Sequence, residues 1–276
     1  MRWKIEHHTR FDYAGPVHDS FNEARLLPFS DERQHVDAFE LSIVPNVRVR
    51  QYRDFYLNNV HHFEIPEPHN RLAVTSRLQV TTQAANGLKR DQRTGPMADL
   101  KSAARVGRCY DYLQASRYVD VSPETWRLAV DATNGDDDVW QNACRLMEFV
   151  HGHIAYESQS TRVQTHMREV LEGRRGVCQD MAHVLIGLCR TLRMPALYVS
   201  GYLATEQANA THAWTEVYVP GTGWQPLDPT HNRQPDETYV KIAVGRDYGD
   251  VAPLKGAYKG TTDHVMKVEV KIERAA

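Results

Sequence analysis

The first third of the chain alternates apolar and polar residues with a period of two. The alternation is clearest from 72 to 80, and turn residues at Gly15-Pro16 and Pro45-Asn46 separate the alternating runs. This period places apolar side chains on one face of a strand and polar side chains on the other. Residues 1–88 are therefore predicted to form an antiparallel β domain, and a loop rich in charged and turn residues is predicted from 84 to 97.

Helical patterns begin after residue 120. Ser122 followed by Pro123 is typical of an N-cap and a first helical turn. The aspartates at 136–138 place negative charge at the start of a second helical segment, which is predicted to end near Val150. A third, short helix is predicted from 165 to 172, with Gly173 as its stop.

A buried helix is predicted from Cys178 to Leu192. Its apolar residues recur at helical spacing, and Pro195 follows its end. Cys178 is therefore expected in the first turn of this helix.

Strand-like runs follow the helix at 196–203, 213–219 and 224–228, with a Pro220-Gly221 turn between the last two. Residues 265–272 alternate again and are predicted to add a last strand.

The order of these patterns predicts an α+β protein. The N-terminal antiparallel β domain at 1–88 is predicted to precede a second domain at 89–276 that contains the helix of Cys178 and the strands after it. The chain has 276 residues and is 41% hydrophobic, which is ordinary for a folded protein with a substantial core.

Charge and cysteine content exclude several classes of protein. The net charge is -2, from 33 basic and 35 acidic residues, so we expect no nucleic-acid partner. No apolar run approaches the roughly eighteen residues of a membrane helix, and the start lacks the apolar core of a secretory signal, so we expect no membrane association and a cytoplasmic location. The four cysteines contain no CxxC pair, which argues against a disulfide framework and a thiolate zinc site.

Cys178 is the candidate nucleophile. At a helix N-terminus, unpaired backbone N–H groups and the positive end of the helix dipole stabilise a thiolate. Gly173 and Gly176 permit a close approach of the chain, and Arg174 and Arg175 between them are expected to add positive potential. The ordinary alternative is a cysteine that only packs in the core.

His212 and Asp228 bracket the predicted hairpin. A hairpin centred on Pro220 places them directly opposite each other, within reach of a hydrogen bond. In a triad, His212 would take the proton of Cys178 and Asp228 would orient the imidazole and favour its charged form. The ordinary alternatives are a strand-end histidine bonded to backbone and, for Asp228, a simple Asx turn.

These residues belong to a longer pattern that resembles the bacterial transglutaminase-like proteins. Its segments are Gly176-Val177-Cys178-Gln179-Asp180, Leu188-Cys189-Arg190, Pro195 to Tyr202, His212-Ala213-Trp214-Thr215-Glu216-Val217-Tyr218, Gly223-Trp224 and Asp228-Pro229-Thr230. The N-terminal β region and Val244-Gly245-Arg246-Asp247-Tyr248 are similar to one bacterial subgroup of the family. The resemblance implies a papain-like α+β core, in which the helix that bears Cys178 packs on an antiparallel sheet. It also implies that Cys178, His212 and Asp228 form a Cys-His-Asp triad.

Other polar residues are assigned supporting roles. The backbone N–H of Cys178 is the expected first oxyanion donor, and Gln179 and Tyr156 are candidates for the second. Asp180 is expected to give structural support at the helix start, where it can contact His183, and Glu216 is expected to line the cleft or pair with a basic residue.

Fourteen histidines raise the question of metal binding. Adjacent histidines in a strand point to opposite faces, so neither His7-His8 nor His61-His62 is placed to chelate one ion. We expect neither a metal nor a cofactor.

The combined observations predict a thiol-dependent amide or peptide hydrolase that acts on a peptide or protein amide through a thioester acyl-enzyme. Two alternatives remain open: transfer of the acyl group to an amine, as in a transglutaminase, and a non-catalytic binding module that keeps the fold. The β domain, which shows no chemistry of its own, is expected to position substrate or to mediate homo-oligomer assembly.

Overall fold

A computed structural model describes residues 1–84, 87–103, 109–158, 160–204, 210–260 and 263–275. Ala85 and Asn86, in the predicted loop from 84 to 97, lie outside the described residues. The strands are β1 (Arg2–Ala24), β2 (Gln34–Val44), β3 (Val49–Arg53), β4 (Asn59–Ile65), β5 (His69–Thr82), β6 (Ala155–Tyr156), β7 (Arg175–Gly176), β8 (Ala196–Leu203), β9 (Thr211–Val219), β10 (Gly223–Leu227), β11 (Tyr239–Gly245), β12 (Leu254–Gly260) and β13 (His264–Arg274). The helices are α1 (Leu100–Ala103), α2 (Pro123–Thr133), α3 (Val139–His153), α4 (Met167–Gly173), α5 (Cys178–Thr191) and α6 (Tyr248–Val251).

The N-terminal strands form a large antiparallel sheet around β1. Its order is β2-β5-β1-β4-β3, and β12 and β13 also pair with β1. The 23-residue β1 pairs with β5 and β13 along its first half and with β4 and β12 along its second half. The alternation of apolar and polar residues therefore predicts this part of the fold correctly, and β1 and β5 bury alternate residues as it requires. β3 differs, because all five of its residues are exposed.

The last two strands complete the N-terminal sheet. The strand predicted at 265–272 exists as β13, and it pairs with β1 from Trp3 to Tyr13. Both β12 and β13 lie within the range 89–276 that was predicted as the second domain. Strands that precede and follow the core in the sequence therefore share one sheet.

The second layer is a four-stranded antiparallel sheet in the order β10-β9-β8-β11, with α5 packed on it. From Asp180 to Thr191 every residue of α5 is buried, so this helix lies in the centre of the core. Pro226 is tolerated in β10 because β10 is an edge strand. The fold is α+β, as the sequence predicted.

The predicted helix starts and stops are mostly correct. Ser122 caps α2 and Asp138 caps α3, each accepting a hydrogen bond from a backbone N–H of the first turn. The predicted stop of the short helix is different, because Gly173 is its last residue and the following Arg174 takes the left-handed conformation, with φ of 50°.

Two side-chain amides join the N-terminal sheet to the outer edge of β11. Gln34 donates to the Lys241 carbonyl at 2.7 Å and accepts from the Lys241 N–H at 2.9 Å. Asn58 makes the same pair of bonds with Val244, both at 2.8 Å. Backbone groups at this edge of the core are therefore satisfied by the N-terminal sheet.

Candidate active site

Cys178 is the first residue of α5, as the sequence predicted. Asp180 caps the helix by accepting from the Val177 N–H at 2.9 Å and also accepts from the Thr161 hydroxyl at 2.6 Å. A Cβ on Gly176 would lie 2.8 Å from the Asp180 Cβ, so only glycine permits this approach. Its bond to the Val177 N–H gives Asp180 the helix-capping role. Burial raises the pKa of Asp180, and its two hydrogen bonds partly oppose that rise.

The hairpin of β9 and β10 brings His212 and Asp228 together. The pairing runs from Gly223 opposite Val219 to Leu227 opposite Thr215, so its centre is Gly221 and not the predicted Pro220. Extended by one pair, this register places Asp228 opposite Trp214, diagonal to His212 and on the same face. His212 Nε2 lies 2.8 Å from Asp228 Oδ2, and the expected hydrogen bond is present.

The Asp228 carboxylate has further partners. Its Oδ2 also accepts from His231 Nδ1 at 2.8 Å and from the Tyr239 hydroxyl at 2.6 Å. Its Oδ1 accepts from the Thr230 N–H at 2.8 Å, so the Asx turn that was considered as an alternative exists beside the bond to His212. The sequence analysis did not identify His231 or Tyr239 as partners.

The charges of the histidine and the aspartate stabilise each other. Burial alone would lower the pKa of His212, but hydrogen bonds to Asp228 and Cys178 and their charges raise it to about 9. Burial alone would raise the pKa of Asp228, but hydrogen bonds from His212, His231 and Tyr239 hold it well below its usual value. Both buried groups therefore favour the ionised form at neutral pH.

The other three cysteines are buried, and Cys144 and Cys189 belong to the hydrophobic core, whereas Cys178 is half-buried. Burial raises the pKa of the Cys144 thiol and of the Cys189 thiol to about 12, and it also raises the pKa of Cys109. A raised thiol pKa disfavours the thiolate that a nucleophile needs. Cys178 is thus distinguished from the others by exposure and by its contact with His212.

The two candidates for the second oxyanion donor differ in availability. The Gln179 amide donates to the Val163 carbonyl at 3.0 Å and is engaged by that loop. Tyr156 is 59% exposed. Partial burial, and then the neighbouring Cys178, raise the pKa of its hydroxyl.

The other expected contacts have different outcomes. Glu216 pairs with the basic residue Lys241 at 3.0 Å, which is one of the two roles expected for it. His183 accepts from the Tyr248 N–H at 3.1 Å instead of bonding Asp180. Arg174 and Arg175 are exposed, and Arg175 lies 3.9 Å from Glu157. Their charge is therefore largely screened by solvent before it reaches Cys178.

Cys178 and His212 open into a cleft of about 260 Å³ between the core and the N-terminal sheet. The sheet side of the cleft comes from His7 and Thr9 of β1, Leu254 of β12, and Met266 and Val268 of β13. The sequence analysis did not place any of these residues at the site, because their positions depend on the pairing of β12 and β13 with β1.

Within the described residues, one group of three could hold a metal ion: His212, Asp228 and His231, whose ligand atoms lie within 4.8 Å of one another. Both imidazoles already bond the same Asp228 oxygen at 2.8 Å, which is hydrogen-bond geometry.

Among the helices that the structure describes, none is long and apolar enough to cross a membrane.

The fold and the site define a transglutaminase-like protein. Residues 3–81 match the bacterial transglutaminase-like N-terminal region, and residues 127–229 match the transglutaminase-like superfamily core. The second match contains Cys178, His212 and Asp228. The chain belongs to this family.

Relatives of similar length support the assignment. The chain is 31% identical over 283 residues to an uncharacterized protein of Mycobacterium leprae, covering 100% of this chain and 99% of that protein. It is 32% identical over 292 residues to an uncharacterized protein of Mycobacterium tuberculosis, covering 98% of this chain and 92% of the relative. Its fold is similar to that of a protein from Cytophaga hutchinsonii described as "a Putative Cysteine Protease", with a TM-score of 0.78, 24% identity, and coverage of 100% of this chain and 92% of that chain.

Proposed function

We propose that the protein is a thiol-dependent amide or peptide hydrolase whose catalytic triad is Cys178, His212 and Asp228. The observation that carries the proposal is the position of His212, which is hydrogen-bonded both to Cys178 and, at 2.8 Å, to the buried carboxylate of Asp228. A nucleophile, a base and a residue that orients the base are the parts that acyl transfer requires. The description of the Cytophaga hutchinsonii protein agrees with this proposal.

The reaction follows from this arrangement. His212 accepts the thiol proton, and the Cys178 thiolate attacks the amide carbonyl to form a tetrahedral intermediate. In this proposal the backbone N–H of Cys178, at the start of α5, stabilises the oxyanion, because the first N–H groups of a helix have no partner within the helix. His212 then returns the proton to the leaving amine as the C–N bond breaks, and water hydrolyses the thioester with His212 again as the base.

Hydrolysis is preferred over amine transfer because of the composition of the cleft. A lysine acceptor approaches as a cation, and among the described residues no aspartate or glutamate lines the cleft. Water needs no binding site of this kind.

The test is the reactivity of the four cysteines in the folded protein. We expect iodoacetamide to alkylate Cys178 at pH 7 at least tenfold faster than Cys144 or Cys189, because burial raises the pKa of those two thiols to about 12. Mass spectrometry of the digested protein gives the rate at each position. Cys178→Ala is the matched control, and hydrolysis of a fluorogenic peptide mixture should disappear in it. Faster alkylation of Cys109, Cys144 or Cys189 would contradict the proposal.

A further inference from the structure

The cleft beside Cys178 has two walls of different origin. One wall belongs to the core and carries Cys178 and His212, and the other belongs to β1, β12 and β13 of the large sheet. Because the second wall lies outside the residues that perform the chemistry, it can determine which substrate side chain is accepted.

The β13 part of this wall is apolar and exposed. Met266 is 52% exposed and Val268 is 47% exposed, and both line the cleft. They lie opposite Phe11 and Thr9 of β1 and share one face of the strand, because side chains alternate with a period of two. Val265, the residue before Met266, is 58% exposed and points to the opposite face.

Apart from Cys178 and His212 themselves, the cleft has no charge to offer a substrate among the described residues. Of the described residues that line it, none is aspartate, glutamate, lysine or arginine. The polar atoms of His7 are engaged, with Nδ1 2.8 Å from the Tyr202 hydroxyl and Nε2 3.1 Å from the Thr9 hydroxyl. Burial, and then the neighbouring His8, lower the pKa of His7 to about 4, so its ring is neutral at pH 7. A charged substrate side chain would lose its water here without gaining a partner.

We propose that this wall, with Met266 and Val268 at its centre, binds a large apolar side chain next to the scissile amide, so that the substrates are peptides or proteins with an aliphatic or aromatic residue at that position. The inference rests on the proposed function. The apolar wall and the reactive residues Cys178 and His212 line the same cleft. A side chain bound at the wall therefore belongs to the molecule whose amide Cys178 attacks, which is the substrate. The volume of about 260 Å³ is close to the lower end of the roughly 300–1,000 Å³ of ligand pockets and suits a side chain of an extended segment.

The experiment compares peptidyl acyloxymethyl ketone probes that differ only in the residue next to the reactive group, which is Leu, Phe, Lys or Asp. Rates of labelling at Cys178 are measured by mass spectrometry, together with the rate for iodoacetamide, which is too small to use the wall. For the wild type we expect Leu and Phe probes to react at least tenfold faster than Lys and Asp probes. Equal rates, or a preference for Lys or Asp, would overturn the inference.

Variants locate the preference on the wall. Met266→Ser and Val268→Ser should each reduce the rate of the Leu probe about tenfold or more, since removing apolar contacts in a binding pocket commonly costs 10- to 200-fold. The iodoacetamide rate should not change. Val265→Ser, on the same strand and similarly exposed, is the matched control and should leave both rates unchanged. An equal effect of Val265→Ser would contradict the proposed wall.

The same data separate this inference from the proposed function. If iodoacetamide labels Cys178 no faster than the buried cysteines, the proposed function fails and the inference fails with it. If Cys178 is rapidly labelled but the peptidyl probes are not discriminated, only the inference fails. The wild-type comparison requires no variant, so a variant that does not fold leaves the test intact.

Discussion

At the scale of residues, the Asp228 carboxylate organises the site. One of its oxygens accepts from His212, His231 and Tyr239, and the other accepts from the Thr230 backbone N–H. Several hydrogen bonds to a buried carboxylate stabilise its charge and fix its orientation. Asp228 can therefore hold the His212 imidazole in one position and stabilise it as imidazolium.

Replacing Asp228 with Asn tests this role through pH dependence. Hydrogen bonds to Asp228 and Cys178 raise the pKa of His212 to about 9, so the wild-type imidazolium persists below that pH and is lost above it. Without the negative charge the pKa falls. We expect the alkaline limb of kcat/KM for peptide hydrolysis to move to lower pH, and the maximum to fall roughly 10²- to 10⁴-fold, the upper value being that of the corresponding change in a serine protease.

Asp236→Asn is the control for that measurement. The Asp236 side chain is 43% exposed and pairs with Arg233 in the same loop. It should keep the wild-type profile and rate. An Asp228→Asn protein with the wild-type pH profile and full activity would remove Asp228 from the triad.

At the scale of elements, β11 is held on one edge by a neighbouring strand and on the other edge by side-chain amides. Its inner edge pairs with β8, and its outer edge bonds the amides of Gln34 and Asn58. Because these amides come from the N-terminal sheet, they fix the separation between that sheet and the core.

Asn58→Ala should destabilise the protein. Asn58 is fully buried, and its loss leaves the N–H and C=O of Val244 without their present partners. We expect a loss of about 1–3 kcal/mol in the free energy of unfolding, measured by urea denaturation. Gln79→Ala, an exposed amide in β5 of the same sheet, should change stability by less than about 0.5 kcal/mol. Equal stability of the two variants would show that the amide contacts with β11 contribute nothing.

At the scale of the whole molecule, strands that are far apart in the sequence form one side of the cleft. In the sequence, β1 precedes the residues that carry the proposed triad, and β12 and β13 follow them. The large sheet therefore lines the cleft beside the proposed triad. The expected role of the β domain in positioning substrate stays a prediction. The predicted homo-oligomer and the predicted cytoplasmic location stay predictions.

The composition of the cleft predicts the fate of the acyl-enzyme. With a peptide substrate in hand, a lysine analogue is added in increasing amounts while acid and amide products are counted separately. Because no described aspartate or glutamate lines the cleft, we expect the amide product to increase linearly with amine and to stay a minor product. A reaction without enzyme corrects for background aminolysis. An amide yield that saturates at moderate amine concentration and displaces hydrolysis would indicate a transglutaminase.

The sequence by itself determined the local parts of the site. Helical spacing after Cys178 predicts α5, and the hairpin between His212 and Asp228 is short enough that its turn brings the two residues together. The centre of the hairpin was predicted one residue too early. Moving the centre by one residue shifts the partner of Asp228 by two residues along β9, from His212 to Trp214. His212 and Asp228 therefore still lie on the same face of the sheet. Local periodicity was sufficient for these features, since it depends only on neighbours in the chain.

The tertiary structure alone decided the rest. Nothing in the alternation of residues 265–272 shows that they pair with β1, because any antiparallel edge can accept such a strand. That pairing places Met266 and Val268 across from Cys178. The contact of Tyr239 with Asp228 likewise depends on how β11 packs in the core sheet. These features depend on contacts between residues that are far apart in the sequence. A periodic pattern indicates which face of a strand is buried, but it does not indicate which element packs against that face.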